Sequence, residues 1–258
     1  MQPAAGQIRG ERGMSNVFYL PPELWGAQME LSGQEAQHAG VLRLKVGDEV
    51  IVLDGQGKIG CCKIVSVRKK SYALELVREE MAAPPNSRVI MAIALGKAAR
   101  RGFFLEKASE LGAWEIWFWN ARRSIGKVSA QVLEAAKGRL IAGCKQSLNP
   151  WLPGLKAFDN IEGIAGAASS LDWKYVPWEE ENSSHILLPD QLGKPGQGIY
   201  VIGPEGGITL EEMAALKDNG FAPVSLGRRV LRCETAAVLC LGLHWWGSQL
   251  PGHADGQA

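Results

Sequence analysis

The sequence predicts an α/β protein in which a small β-rich domain of barrel type precedes a larger domain built on a parallel sheet. Residues 17 to about 80 show short strands separated by turns, whereas from residue 89 onward strands alternate with helices. The run Ala-Ala-Pro-Pro-Asn at 82–86 separates the two patterns and is the best linker candidate. The predicted boundaries are an extension at 1–13, a first domain at 14–83 and a second domain at 84–250.

Composition narrows the class of protein. The formal net charge of the 258 residues is +1, so a nucleic-acid site would have to come from local clustering of basic residues. The 5 cysteines include no C-x-x-C pair, and the 4 histidines show no ligand spacing. We therefore expect buried thiols, a reducing cytoplasm and no metal. No apolar run is long enough for a membrane span, and the first thirteen residues lack the apolar core of a signal peptide. The tail PGHADGQA is predicted to be disordered, and the first thirteen residues are predicted either to be disordered or to come from an upstream start codon.

In the first domain, VGDEVIVLDGQGKIGCCKIVSV predicts a hairpin. Two β-rich segments flank Asp54-Gly55-Gln56-Gly57, which supplies the turn. The alternating run SYALELV at 71–77 predicts a further strand. The segment 31–44 predicts a short helix, for which Ser32 could serve as the cap.

In the second domain, VIMAIALG at 89–96 is a continuous apolar run, as expected of a strand buried on both faces. The segment FFLEKASELG then predicts a helix, because Phe104, Ala108 and Leu111 fall on one face and Gly112 suits its C-terminus. A strand WEIWFW at 114–119 follows, in which the tryptophans are predicted to be core. Next come a helix around 128–146, a loop rich in Trp and Pro, and weaker strand candidates at 171–178 and 186–189.

The last third predicts strand, loop, helix, strand and helix in turn. A strand at 199–202 enters the loop GPEGGIT, and Thr209-Leu210-Glu211-Glu212 forms a capping box that opens a helix ending at Gly220. A strand at 222–227 and a long apolar helix at 234–249 complete the pattern. Alternation of this kind implies a parallel sheet with crossover connections.

The loop GPEGGIT lies where α/β proteins bind ligands, between a strand and a helix. Pro204 fixes one φ angle, and Gly206 with Gly207 permits positive φ and close approach of a ligand. Its spacing is neither G-x-G-x-x-G nor that of a P-loop. A tight turn with no ligand remains the alternative.

The segment LGRRVLRCETAAV forms a second loop at the same edge of the predicted sheet. Arg232 stands just before an apolar helix, where a positive charge is unfavourable. This conflict suggests an external anion or a carboxylate partner such as Glu234 or Glu205.

Basic residues follow two buried strands and recur in the first domain. Because carboxyl ends of parallel strands share one edge, these residues could form a rim that binds RNA phosphate, although ordinary surface charge is the alternative. The predicted RNA-binding residues are Arg43, Lys45, Lys97, Arg100, Arg101 and Arg123.

Taken together, these segments resemble one family. GPEGGIT followed by VSLGRRVLRCETAAV resembles the signature of the RsmE-type ribosomal RNA uracil-N3 methyltransferases of the SPOUT superfamily. The segments FYLPPEL, EAQHAGVLRLKVGDEV, ALGKAARRGFFLEKASELGA and RRSIGK resemble the same family in the same order. The resemblance covers residues 17 to about 247 and is weaker between 150 and 197.

The resemblance implies a PUA-like RNA-binding β-barrel followed by a SPOUT domain with a deep trefoil knot. It also implies a cytoplasmic homodimer that uses S-adenosylmethionine to methylate N3 of a uridine in 16S ribosomal RNA of the 30S subunit, usually called uridine 1498. Alternatives are a SPOUT enzyme acting on transfer RNA or a ribose 2′-hydroxyl, a non-catalytic ribosome-assembly protein, and an ordinary nucleotide-binding protein. The absence of a Walker lysine argues against the last of these.

By resemblance, Arg232 is the candidate to stabilise the developing uridine anion, and Glu205 or Glu234 either orients it or takes the proton. The chain departs from the family pattern at Arg229, Cys233 and Asn149, which leaves the cofactor loops nearly whole. The cofactor-binding residues implied are Leu188, Ile202, Gly203, Pro204, Glu205, Gly206, Gly207, Leu226, Gly227, Val230, Leu231 and Arg232.

Overall fold

The computed structural model describes residues 16–26, 28–96, 98–124, 126–180, 186–188 and 191–250. The predicted extension at 1–13 and the tail at 251–258 lie outside the described residues. The chain divides into two compact units, one of Met1–Pro84 with Cys144–Leu152 and one of Pro85–Gly143 with Pro153–Ala258.

The first unit is built on a five-stranded sheet in which one strand pair is parallel and the others are antiparallel. The strands are β1 at Val17–Tyr19, β2 at Met29–Leu31, β3 at Glu49–Leu53, β4 at Lys58–Arg68 and β5 at Ser71–Met81. The strand order is β1-β3-β4-β5-β2. A 3-10 turn at Pro22–Leu24 and the helix α1 at Gly33–Val41 connect the strands.

The predicted hairpin is the pair β3 and β4. Its turn is held by Asp54, whose Oδ1 accepts hydrogen bonds from the amides of Gln56 at 2.6 Å and Lys58 at 2.9 Å. Such a side-chain bond reproduces a backbone turn, which is why the sequence marks this position clearly. The predicted helix is shorter than 31–44, and Ser32 occupies its N-cap position without a capping hydrogen bond from the side chain.

A segment distant in sequence completes the first unit. Lys145 forms a 2.7 Å ion pair with Glu35, whose other oxygen accepts the amide of Tyr19. The ring of Trp151 lies against Gly57, where a β-carbon would sit 2.5 Å from it. Residues 144–152 therefore belong with the first unit, although the predicted boundary at 83 gave no sign of this.

The second unit is built on a six-stranded sheet in which all pairs are parallel, in the order β11-β9-β10-β6-β7-β8. Its strands are β6 at Ser87–Ala94, β7 at Glu115–Trp119, β8 at Gly154–Phe158, β9 at Trp173–Pro177, β10 at Gly196–Ile202 and β11 at Ala222–Val224. Its helices are α2 at Ala98–Glu110, α3 at Ala130–Ser147, α4 at Ile161–Ala167, α5 at Leu210–Asp218 and α6 at Cys233–Ser248.

The predicted fold class is confirmed, with two corrections. The region predicted as a loop rich in Trp and Pro contains β8 and α4. The strand candidate at 186–189 is reduced to a single bridge between Ile186 and Ser225 in the described residues. Because the strands are parallel, the loops after β6, β7, β10 and β11 all leave the same edge of the sheet.

The core follows the predicted burial. β6 is buried from Val89 through Ala94, and Trp117 and Trp119 are buried in β7. Trp114 is half-buried, with the guanidinium of Arg88 above its ring, so its prediction as core is only partly right. Among the described residues, no helix is both long and apolar enough to cross a membrane.

Candidate functional site

The loop between β10 and α5 is a tight turn whose glycines are required. The amide of Gly207 donates to the carbonyl of Pro204 at 2.9 Å, and Gly207 has a φ of +76°. A β-carbon there would lie 2.6 Å from Glu179 Oε1. The loop therefore needs glycine for its backbone conformation and for the close approach of a carboxylate.

The predicted capping box at the start of α5 is confirmed. Glu212 Oε2 accepts the amide of Thr209 at 2.9 Å, and Thr209 Oγ1 accepts the amide of Glu212 at 3.2 Å. Both side chains are buried. The box fixes the direction in which the chain leaves the Gly-rich loop.

The loop after β7 is hydrogen-bonded to the first turn of α5 and to the Gly-rich loop. The amide of Arg122 donates to Glu212 Oε1 at 2.9 Å, and Arg123 Nη1 donates to the carbonyl of Gly206 at 2.7 Å. The structure thus brings together the loops after β7 and β10, as expected for a shared edge.

The loop from β11 to α6 borders an open cleft. Gly227 has a φ of +105°, and a β-carbon on it would meet no atom within 4 Å. Val230 is 86% exposed beside it. The cleft has a volume of about 100 Å³, and it is lined by Pro177, Trp178, Glu179, Ser225, Leu226, Gly227, Arg228, Arg229, Val230, Leu231 and Ala236.

Four predicted cofactor residues line this cleft, namely Leu226, Gly227, Val230 and Leu231. Glu179 connects the cleft to the Gly-rich loop, since its carboxylate lies against Gly207. The predicted residues in the stretch 202–207, together with Leu188 and Arg232, are not among the lining residues.

Sequence reasoning missed the other wall of the cleft. Pro177 is the last residue of β9, Trp178 and Glu179 follow it, and the amide of Trp178 donates to the carbonyl of Val224 at 3.1 Å. The only available signal was that β9 ends at the same edge as the other strands. Leu188 is half-exposed, and its amide donates to Gln191 Oε1 at 2.8 Å.

Arg100 joins the two acidic residues that the sequence singled out. Its Nη1 lies 3.2 Å from Glu205 Oε1, and its Nε lies 3.6 Å from Glu234 Oε1. Arg232 is instead exposed at the N-cap of α6, without a recorded side-chain partner in the described part of the chain. The guanidinium between Glu205 and Glu234 therefore belongs to α2 and not to the position before α6.

The residues around Arg100 and Glu234 are partly apolar. Phe104 and Phe118 line a narrow pocket with Arg100, Cys233 and Glu234. Cys233 Sγ donates to Glu234 Oε2 at 3.4 Å. Burial raises the pKa of the Cys233 thiol to about 11, and the hydrogen bond and charge of Glu234 add to that effect.

Glu205 lies close to the end of β6. A β-carbon on Gly96 would be in ordinary contact with Glu205 Oε1 at 3.5 Å, and Arg101 Nη1 donates to the Gly96 carbonyl at 3.3 Å. Burial lowers the pKa of the Arg101 guanidinium.

The predicted RNA-binding residues differ in exposure. Arg43, Lys45 and Arg123 are exposed, whereas Arg100 and Arg101 are partly buried. Lys97 lies outside the described residues. No group of three or more potential metal-ligating side chains occurs in the part of the chain that the structure describes.

Comparison with protein families gives two matches. A model described as an RNA methyltransferase domain matches residues 83–245. A second, described as an RNA methyltransferase PUA domain, matches residues 31–77. The second match falls within the first unit and the first match falls mostly within the second unit. Their order agrees with the predicted order of a PUA-like domain and a SPOUT domain.

Individual proteins give the same result. The chain is 32% identical over 206 residues to the ribosomal RNA small subunit methyltransferase E of Synechocystis, which covers 78% of this chain and 67% of that protein. It is 28% identical over 231 residues to the Mycobacterium tuberculosis protein of the same name, covering 84% and 86%. A Legionella pneumophila protein, Lpg2936, solved with the cofactor SAM bound, superposes with a TM-score of 0.81 at 27% identity, covering 89% of this chain and 96% of that one.

Proposed function

Because the chain belongs to the family of RNA methyltransferases that includes ribosomal RNA small subunit methyltransferase E, we propose that it methylates small-subunit ribosomal RNA with S-adenosylmethionine. The specific target is N3 of the uridine called uridine 1498 in 16S RNA. The observation that carries this proposal is the open cleft beside Gly227, which joins the Gly-rich loop through Glu179.

The residues of the cleft fit such a cofactor. The space beside Gly227 is free of side chains, so a ligand can approach the backbone there. Leu226, Val230 and Leu231 offer apolar and backbone contacts, and the Glu179 carboxylate can accept hydrogen bonds. The proposed contacts also include Leu188, Arg232 and the stretch 202–207. When bound, the cofactor supplies a methyl group that its own sulfonium has already activated.

The protein must then manage one proton. Uracil N3 carries a hydrogen and is a poor nucleophile until it is lost, so a nearby cation and a proton acceptor would both help. Arg232 is exposed and can face a bound base, which supports its proposed role in stabilising the uridine anion. Glu205 and Glu234 are the proposed acceptors, and both lie at the carboxyl edge of the sheet.

Binding of RNA is assigned to both units. The exposed residues Arg43 and Lys45 belong to the unit that matches the PUA model, and Arg123 with Arg101 lies near the Gly-rich loop. Lys97 and Arg100 complete the proposed set. We further propose a cytoplasmic homodimer, for which the exposed Trp245 and Trp246 of α6 are candidate contacts.

Deletion of the gene tests the function directly. Nucleosides from small-subunit RNA of the deletion strain should lack N3-methyluridine by mass spectrometry, and expression of this chain should restore it. Unchanged N3-methyluridine would contradict the proposal. Loss of a methylated nucleoside from transfer RNA, or of a 2′-O-methyl group, would point to another SPOUT activity, and failure to bind S-adenosylmethionine by calorimetry would favour a non-catalytic role.

A further inference from the structure

We propose that Arg100 is a positioning residue that holds Glu205 so that the free oxygen of this carboxylate, Oε2, accepts the proton from the base. The inference deepens the proposed function and rests on it. It also decides between Glu205 and Glu234, which sequence reasoning left open.

Arg100 connects three segments at the carboxyl edge of the sheet through its ion pairs. It lies in the first turn of α2, directly after β6, and it contacts Glu205 in the loop after β10 and Glu234 in the first turn of α6. Its side chain is only 31% exposed. A guanidinium presents several donors in a fixed fork, so one arginine can orient two carboxylates at once, which a lysine ammonium does less well.

The two carboxylates differ in what remains free. Both oxygens of Glu234 are engaged, Oε1 with Arg100 and Oε2 with the Cys233 thiol, and the residue is 8% exposed. Glu205 pairs with Arg100 through Oε1 only, and its Oε2 accepts no hydrogen bond from the residues that the structure describes. The side chain of Glu205 is 26% exposed. Glu205 is therefore oriented by one oxygen and open to a substrate at the other.

The proton balance is simple. The N3–H bond of uracil breaks and its proton moves to Glu205 Oε2, giving the neutral acid. The electron pair left on N3 forms the new bond to the methyl carbon of the donor, and the pair of the broken carbon–sulfur bond stays on sulfur as a neutral thioether. A positioned base of this kind contributes roughly 10²–10⁴-fold to a rate.

Several charged or titratable groups surround this carboxylate. Arg100 contacts it from α2, Arg101 of the same helix binds the neighbouring Gly96 carbonyl, and Cys233 and Glu234 lie near it on α6. Arg123 contacts the next residue of the loop, Gly206. Glu234 supplies a second negative charge to the bridging guanidinium.

The first test replaces the acceptor by its neutral isostere. Glu205→Gln should slow single-turnover methylation of small-subunit RNA roughly 10²–10⁴-fold, while the Kd for S-adenosylmethionine by calorimetry changes less than about threefold. The residual methylation rate of Glu205→Gln should rise about tenfold per pH unit near neutrality, because hydroxide must now remove the N3 proton. The matched control is Glu211→Gln, an exposed glutamate at the start of α5 that pairs with Arg122, and it should leave rate and pH profile unchanged.

The second test concerns Arg100 and has a readout apart from activity. Arg100→Ala should increase amide hydrogen exchange in the loop 203–209 and lower the rate with little change in KM for the methyl donor. Arg100→Lys should restore part of the rate. The control, Arg139→Ala, removes another arginine–glutamate pair, the one between Arg139 of α3 and Glu106 of α2, and should change neither exchange nor rate.

The outcomes are separable. If Glu205→Gln keeps the wild-type rate, the acceptor assignment fails while the proposed function stands. If Arg100→Ala changes loop exchange and rate no more than Arg139→Ala does, the positioning role fails. If the wild-type protein forms no N3-methyluridine, the proposed function fails, and this inference fails with it.

Discussion

The amide of Arg122 donates a 2.9 Å hydrogen bond to the buried carboxylate of Glu212, and this bond links the loop after β7 to the first turn of α5. The same carboxylate caps α5 through the amide of Thr209. One side chain therefore satisfies two backbone donors that would otherwise lose a partner. The position of the Gly-rich loop depends on it.

Removal of this carboxylate should destabilise the protein. Glu212→Ala deprives the amides of Arg122 and Thr209 of their acceptor, at a cost of about 1–3 kcal/mol in the free energy of unfolding. Urea unfolding measures this loss. Glu211→Ala, in the same helical turn but exposed, should have a much smaller effect, and equal losses in the two variants would contradict the assignment.

A side chain at Gly207 should disturb both the fold and the cofactor site. Gly207→Ala forces a residue with a β-carbon to φ +76° and against Glu179, which should cost at least about 1–2 kcal/mol. Calorimetry should show weaker binding of S-adenosylmethionine. Gly138→Ala in α3 meets no neighbouring atom and should instead stabilise the helix by roughly 0.5–1 kcal/mol. Normal binding by Gly207→Ala would argue against the loop's role.

The Cys233 thiol should be unreactive near neutral pH. Because burial and then Glu234 raise its pKa from 9.0 to about 11, iodoacetamide at pH 8 should modify it roughly a hundredfold more slowly than an ordinary thiol. Peptide mass spectrometry follows the adduct. The neutral thiol is favoured in the folded state, so its stability contribution is present below about pH 9 and is lost as the pH rises toward 11. Rapid modification at pH 8 would show that Cys233 is not buried against Glu234.

Exposed basic residues of the first unit should affect RNA affinity through phosphate contacts. Arg43→Gln and Lys45→Gln should each weaken RNA binding and reduce the magnitude of the slope of log K against log salt by about 0.7–0.9. Filter binding over a range of salt concentrations measures this. The control is Lys107→Gln, since Lys107 pairs with Glu110 at 2.7 Å. Slopes identical to wild type for both the Arg43 and the Lys45 variant would contradict the assignment of these two residues to the RNA site.

Local signals explain what the sequence could predict. The turn at Asp54, the buried strand β6 and the capping box of Thr209 and Glu212 each depend on residues within one short segment. The edge strand β8 was missed because its residues are mostly exposed and form no apolar run. The helix α4 has only seven residues and contains two glycines, so its helical pattern is weak.

Contacts between distant segments could not be predicted. Arg100 is 105 residues from Glu205 and the sequence gives no local sign of their pairing. The sequence placed all three groups, Arg100, Glu205 and Glu234, at one edge of the sheet, but it assigned Arg100 to RNA and paired the acids with Arg232. The inclusion of 144–152 in the first unit is of the same kind. A knot is expected from the family resemblance alone, because ordinary rules of chain topology exclude knots.

Transfer of a labelled methyl group tests directly whether the protein methylates N3 of uridine 1498. The purified protein is incubated with S-adenosylmethionine carrying a deuterated methyl group and with 30S subunits from a strain that lacks the modification, and the RNA is digested and analysed by mass spectrometry. We expect labelled N3-methyluridine in a fragment of 16S RNA that contains uridine 1498. A label found on a ribose 2′-hydroxyl or on another base, or no label in either free 16S RNA or 30S subunits, would contradict it.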